Sequence, residues 1–342
     1  MKKQVLVVAG GGTGGHFFCG LAFAEKFLVK FPQSEVVFIG VRRGIEGRHR
    51  FNDKRMKVEF VYSLGFKNVG ISQRIQALFA FFFGIFKAAA KLLRLRPRIV
   101  LGVGGYASAS TMIAAAILKP FLGFKVFLME QNSVPGLTNK VLSKFVMAYS
   151  PFPYPGFKTI ELPIRDEVEK LAEDMPLAQW PPQKILILGG SQGAAGLNKA
   201  WIKVLESIKV EYPNLKIVHQ TGEQSYQNVR AAYQGFEIAA ETFAFSSEIG
   251  KYIREADLVI SRAGALSIFE LICFQRPTLF VPFPGAADNH QFKNADAVQK
   301  MSWIIAEPGF NFDSLKRVLN SPEASIPAQK QKPSISWRSL IQ

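Results

Sequence analysis

Short apolar runs rich in β-branched residues recur along the chain, most of them closing on glycine or a polar residue. They are VLVVAG (5–10), VVFIG (36–40), RIVLGVGG (98–105), KVFLME (125–130), KILILGG (184–190), KIVHQTG (216–222), DLVISRAG (257–264) and TLFVPF (278–283). These runs are continuous rather than alternating, which suits strands of a parallel sheet covered on both faces. Helix-type stretches separate them, so the pattern predicts α/β layers joined by right-handed crossovers. Two Pro-rich breaks, SPFPYPGF (150–157) and DMPLAQWPPQK (174–184), place a domain division in the middle of the chain. QVLVVAGGGTGGH and KILILGGSQGAAGLN share one plan: a polar residue, an apolar strand, glycines, a small polar residue, and glycine leading into a helix. The expectation is two doubly wound domains facing across a cleft, 1–160 and 161–325, followed by a short polar tail, 326–342.

Composition changes the picture in two ways. The chain has 342 residues, enough for two domains, and is 48% hydrophobic, yet no run has the length of a membrane span. The start MKKQVLVVAGGG lacks the pattern of a signal peptide, which predicts a cytoplasmic protein. Two cysteines, Cys19 and Cys273, suggest neither a disulfide framework nor a zinc site. The formal net charge is +16. Such a balance suits nucleic acid, an anionic membrane or an acidic substrate. No zinc-finger spacing, RNP-like motif or Arg-rich arm is present, so nucleic acid is not expected. The stretch IQALFAFFFGIFKAAAKLLRLRPR (75–98) offers a membrane reading: its phenylalanines cover more than one side of a helix, and Lys87, Lys91, Arg94, Arg96 and Arg98 follow.

Gly10, Gly12 and Gly15 match the dinucleotide pattern G-x-G-x-x-G. An NAD enzyme needs an acidic residue at the end of the next strand, where this chain has Arg42 and Arg43. Those arginines suit an NADP phosphate, so an NADP oxidoreductase is the competing reading. The segment 257–298 argues against it. A strand ends in the small-residue turn Arg262-Ala263-Gly264, a helix carries Glu270, and a polar cluster follows at Asp288, Asn289, His290 and Gln291. Small residues let backbone amides approach a pyrophosphate, and a carboxylate further along accepts from ribose hydroxyls. Those are the contacts of a nucleoside diphosphate.

The motifs AGGGTGGH, GVGGYAS (102–108), EQNSVPGLTNK (130–140), PIR (163–165), GGSQGAAGLN (189–198), HQTG (219–222), SRAGALSIFE (261–270) and DNHQFKNA (288–295) resemble, in order and spacing, the MurG family. These are the UDP-N-acetylglucosamine transferases, of glycosyltransferase family 28, that complete the peptidoglycan lipid precursor. The resemblance implies a GT-B fold and inverting transfer of GlcNAc from UDP-GlcNAc to the muramyl 4-hydroxyl of lipid I, giving lipid II, with no cofactor and no metal. It implies that Glu270 holds the ribose and that the backbone of Ala265, Leu266, Ser267, Ile268 and Phe269 cradles the pyrophosphate with Ser191. Ser246 would meet the uracil and Gln291 the sugar. Asn132 and Arg165 would approach from the domain boundary, and Thr13, Gly14 and Gly15 from the N-terminal side. Gly104, Gly105 and Tyr106 would face the acceptor. His16 is the first candidate for the base and Glu130 the second. The implied partners are an anionic membrane surface and other proteins of cell-wall synthesis, and the implied place is the cytoplasmic face of the inner membrane, peripherally bound. Cys19 stands where the family has proline, and GGYASAS replaces GGYVSGP. With the polar tail, these departures leave a GlcNAc-transferase-like binding protein without turnover as a further alternative.

Overall fold

The structure is a computed structural model. It describes all residues except 1–2, 12–13, 43, 48, 52, 62–70, 106–107, 190–192, 247, 299–302, 324–334 and 342, with backbone alone for 71–78. The chain forms two compact units, dividing after Arg165, and the C-terminal residues return to the first.

The first unit contains β1 (Val5–Gly10), α1 (Gly14–Lys30), β2 (Glu35–Gly40), β3 (Met56–Phe60), α2 (Ile71–Leu95), β4 (Ile99–Gly104), α3 (Ala109–Leu122), β5 (Lys125–Met129), α4 (Leu137–Leu142), β6 (Met147–Ser150) and β7 (Lys158–Thr159). Its sheet has the order β3-β2-β1-β4-β5-β6-β7. Every neighbouring pair runs parallel. The strand order reverses between β1 and β4, where a doubly wound sheet opens a crevice at its carboxyl edge. Val7, Val37, Val100, Val126 and Leu128 fill one layer of the core with Leu92, Met112 and Ala115 from the helices. Helix α2 stops before Arg96, which takes a left-handed φ of 42°, and Pro97 follows it.

Of the residues expected to form a polar tail, the described ones, 335–341, behave otherwise. Trp337, Leu340 and Ile341, at i, i+3 and i+4, are buried on one side of a short 3₁₀ turn. The Trp337 ring lies 5.7 Å from that of Phe23 on α1. Ile335 bridges Ile160, with the Glu161 N–H donating to its carbonyl at 3.4 Å. Apolar spacing, rather than the surrounding polar composition, decides where this segment goes. Trp337→Ala should cost about 3–5 kcal/mol, the range for truncating a fully buried tryptophan. Chemical denaturation would show it as a lowered midpoint of the first unit's unfolding, and an unmoved midpoint would contradict the packing.

The second unit contains α5 (Asp166–Leu171), β8 (Lys184–Leu188), α6 (Ala195–Ile202), α7 (Leu205–Glu211), β9 (Lys216–Gln220), α8 (Tyr226–Gly235), β10 (Ala240–Phe243), α9 (Ile249–Glu255), β11 (Leu258–Ser261), α10 (Ala265–Cys273), β12 (Thr278–Phe280), α11 (His290–Val298) and α12 (Phe312–Leu319). Its parallel sheet has the order β10-β9-β8-β11-β12, with the reversal between β8 and β11. Asp257, just before β11, accepts from the backbone N–H groups of Gln179, Gln183 and Lys184 at 2.8, 3.0 and 2.9 Å. The Pro-rich break is thereby tied to the sheet. His219 is buried on β9 between the Tyr233 hydroxyl and the Asn198 amide oxygen, each 3.1 Å away. Burial pushes its pKa down to about 3, so it is a neutral core residue.

Candidate active site

In the first unit the site residues gather at the carboxyl ends of β1, β4 and β5. His16 is the third residue of α1 and half-buried. Its Nδ1 lies 2.5 Å from Oε1 of Gln131, the second residue after β5. Gly104 and Gly105 have φ of 89° and 78°, a region that side-chain-bearing residues rarely adopt. A Cβ on Gly104 would come within 3.2 Å of His16 Cε1, and one on Gly105 within 3.5 Å of Cδ2. The imidazole therefore lies against these two residues, whose left-handed φ values favour glycine.

Glu130 is 3% exposed and fully engaged. Its Oε1 accepts from the Asn132 backbone at 3.0 Å and side chain at 3.2 Å. Its Oε2 accepts from the Gly136 N–H at 3.2 Å and the Asn139 side chain at 2.7 Å. All four bonds tie the carboxylate to its own loop, whereas His16 is half-buried and meets Gln131 through Nδ1. Asn132 is part of that same loop. Arg165 closes the first unit, its guanidinium 5.2 Å from the ring of Phe18 on α1. Gly14 and Gly15 open α1, and a Cβ on Gly15 would meet nothing within 4 Å. Thr13 and Tyr106 lie outside the described residues.

Glu46 is buried and accepts the Val41 N–H at 2.9 Å. A Cβ on Gly11 or Gly40 would collide with its carboxylate oxygens. A carboxylate thus occupies the ground between the first glycine loop and the end of β2, where a dinucleotide phosphate would need room. Arg42, the candidate partner for a 2′-phosphate, stacks on Phe60 at 5.6 Å. Cys19 is core: its thiol contacts the Met129 sulfur at 3.5 Å, and burial pushes its pKa up to about 12. His49 is half-buried in an aromatic cluster, 4.9 Å from the Phe17 ring, rather than solvated as its charged surroundings suggest.

In the second unit the site is built around α10. Gly264 caps it in extended geometry with no side-chain hydrogen bond. The N–H of Ile268 returns to the Gly264 carbonyl at 3.0 Å. The amides of Ala265, Leu266 and Ser267 precede that bond and have no acceptor within the helix. They stand at its positive end, which favours an anion. Glu270 lies on the next turn, half-buried. The turn itself is braced from behind. Buried Arg262 donates to the carbonyls of Val281 and Pro282 at 3.0 and 3.3 Å and pairs with Glu307. Buried Asn294 on α11 donates to the Ala263 carbonyl at 3.3 Å. The side-chain oxygen of Gln291 accepts the Phe283 N–H at 2.9 Å, which fixes the loop after β12. Ser246 caps the turn before α9 by accepting the Glu248 N–H at 3.1 Å. Ser191 lies outside the described residues.

The order of motifs along these two frames decides the family. Residues 6–150 match the glycosyltransferase family 28 N-terminal domain and residues 184–336 its C-terminal domain. A UDP-N-acetylglucosamine–N-acetylmuramyl-(pentapeptide) pyrophosphoryl-undecaprenol N-acetylglucosamine transferase from Citrifermentans bemidjiense is 38% identical over 301 residues, covering 86% of this chain and 83% of that protein. The chain belongs to glycosyltransferase family 28. The transferase of the same name from Geobacter sulfurreducens is 36% identical over 331 residues, 92% of this chain and 88% of its own. Among solved structures, that of Acinetobacter baumannii MurG is similar with a TM-score of 0.71 and 28% identity, covering 94% of this chain and 90% of that one. The two parallel-sheet units are those of a GT-B glycosyltransferase. Gln131, Asn139, Arg262 and Asn294 lie inside motifs quoted from the sequence, yet sequence reasoning gave them no role. They act by holding backbone and ring geometry, which residue type does not reveal.

Proposed function

We propose that the chain transfers N-acetylglucosamine from UDP-N-acetylglucosamine to the 4-hydroxyl of the muramyl sugar in lipid I, yielding lipid II. The observation that carries this is the whole-chain likeness to family 28 transferases named for that reaction. The second unit, with the open amides of α10 and Glu270, holds the donor, and the first unit, with His16, Gly104 and Gly105, holds the acceptor. His16 is the base. Its ring accepts the proton of the acceptor hydroxyl as that oxygen attacks the anomeric carbon. The bond from that carbon to the β-phosphate oxygen breaks, UDP leaves with the electron pair, and the configuration inverts. The amides at the start of α10 and Arg165 offset the charge that develops on the leaving pyrophosphate. Radiolabelled UDP-N-acetylglucosamine incubated with a lipid I analogue should put label into a lipid-soluble product. Protection by UDP without product would instead support the inactive binding protein.

The acceptor's polyprenyl chain stays in a bilayer, so the enzyme works at a membrane surface, at the cytoplasmic face where the nucleotide sugar is found. Among the described residues no helix is long and apolar enough to cross a membrane. Helix α2 instead exposes Phe79 (72%), Phe82 (53%), Phe83 (53%) and Phe86 (73%), spaced for one helical face. Lys87 sits over the Phe83 ring at 4.7 Å. The basic rim is smaller than the sequence suggested: Lys91 and Arg94 both pair with Glu59, and Arg98 stacks on Phe31 at 5.2 Å. Apolar insertion therefore leads and charge assists. Replacing Phe82 and Phe86 together by glutamate should weaken vesicle binding at least about 100-fold, from roughly 1.5–3 kcal/mol per phenylalanine. Turnover of a water-soluble acceptor should persist. Unchanged co-sedimentation with anionic vesicles would refute the surface assignment.

A further inference from the structure

We infer that Gln131 is a positioning residue that sets the tautomer of His16, placing the ring proton on Nδ1 and leaving the Nε2 lone pair to act as base. The inference rests on the reading of His16 as the base. Gln131 is 2% exposed at the carboxyl end of β5. Its amide nitrogen donates to the Val103 carbonyl at 2.8 Å and to the Met129 carbonyl at 3.3 Å. Those two acceptors use both amide hydrogens, and they fix the amide orientation, because a flipped amide would set its oxygen against two carbonyl oxygens. Oε1 is thereby turned toward His16 Nδ1.

An amide oxygen only accepts, so Nδ1 must donate. A neutral imidazole carries one N–H, and with that hydrogen on Nδ1 the lone pair lies on Nε2. No described residue hydrogen-bonds Nε2. The ring plane is held by the Gly104 and Gly105 backbone, whose would-be Cβ atoms come within 3.2 and 3.5 Å of ring carbons. When the acceptor hydroxyl gives its proton to Nε2, the imidazolium keeps its Nδ1–H bond to Gln131, so the orienting contact survives the step. Carbonyls on β4 and β5 thus hold the amide, and the amide holds the ring. A carboxylate at this place would orient the ring equally and also favour its charged form. The amide orients without adding charge.

The test combines a direct and a kinetic readout. In protein labelled with nitrogen-15 at histidine, neutral His16 should show a protonated Nδ1 and an unprotonated Nε2. The reverse tautomer overturns the inference, whatever the role of His16. Gln131→Leu should lower kcat by roughly 10–100-fold, the range for partners that orient a functional histidine, with KM for UDP-N-acetylglucosamine unchanged. Gln131→Glu should recover much of that loss and move the acidic limb of the kcat/KM profile to higher pH. An unmoved limb in this variant, or full turnover in Gln131→Leu, also overturns it. If Gln131→Leu fails to fold, the tautomer of the wild-type chain and the limb of Gln131→Glu still decide. Full turnover in His16→Ala would fault the base assignment instead, leaving the tautomer measurement standing on its own.

Discussion

His16→Ala should lower kcat by about 10²–10⁴-fold, the usual contribution of a positioned general base, and leave the affinity for UDP unchanged. The split follows from the architecture. His16 sits on α1 in the first unit, and the donor contacts proposed above belong to α10 in the second. Removing the imidazole deletes a proton acceptor but none of the amides or the carboxylate assigned to the nucleotide. The ring is half-buried, so folding should survive. The measurement is steady-state turnover on a lipid I analogue beside UDP titration by calorimetry. A variant with wild-type kcat, or one whose UDP affinity falls in step with activity, would rule out the role.

Glu270→Ala should produce the opposite split. A carboxylate accepting from two ribose hydroxyls makes two charge-assisted hydrogen bonds, worth roughly 1.5–3 kcal/mol each. Their loss should raise KM for UDP-N-acetylglucosamine and weaken UDP binding by about 10²–10⁴-fold. The effect on kcat at saturating donor should be small, because the ribose is remote from the reacting bond. Glu270→Gln keeps one acceptor and should fall between wild type and alanine. The helix should tolerate either change, since the Glu270 backbone carbonyl still accepts from Phe274, at 3.1 Å in the wild-type fold. If alanine leaves UDP affinity intact, the carboxylate has another purpose. These two variants together locate the base and the nucleotide on separate units by kinetics alone.

The eight strands marked by continuous apolar runs are all present, as β1, β2, β4, β5, β8, β9, β11 and β12. They were legible because both their faces are covered, so apolar residues run consecutively through most of their length. The strands not foreseen are β3, β6, β7 and β10, and three of these close the edges of their sheets. MKVEF and AETF interleave charge with apolar residues because an edge is partly wet, and a two-residue β7 has no pattern to find. The site divides along the same line. Glycines, His16 and Glu270 stood out because their residue types are unusual where they fall. Gln131 did not, since an amide is common and its meaning depends on which carbonyls it meets. Glu130 was credited with chemistry because a carboxylate can do chemistry. Only the four donors around it show that it is occupied with its loop. The tail was misjudged by composition: three apolar side chains at helical spacing outweigh the polar residues around them.

That tail has a consequence for how the molecule is made. The first unit needs Trp337 against Phe23, so its last piece is encoded after the whole of the second. At about 5–20 residues per second of synthesis, the 167 residues from Asp166 to Lys332 hold that piece back for roughly 10–30 s. During this interval the nascent chain carries a nearly finished sheet with an uncovered apolar notch on α1, while the second unit can fold to completion. Chaperone dwell on the ribosome should therefore track the first unit, the one made earliest and finished last.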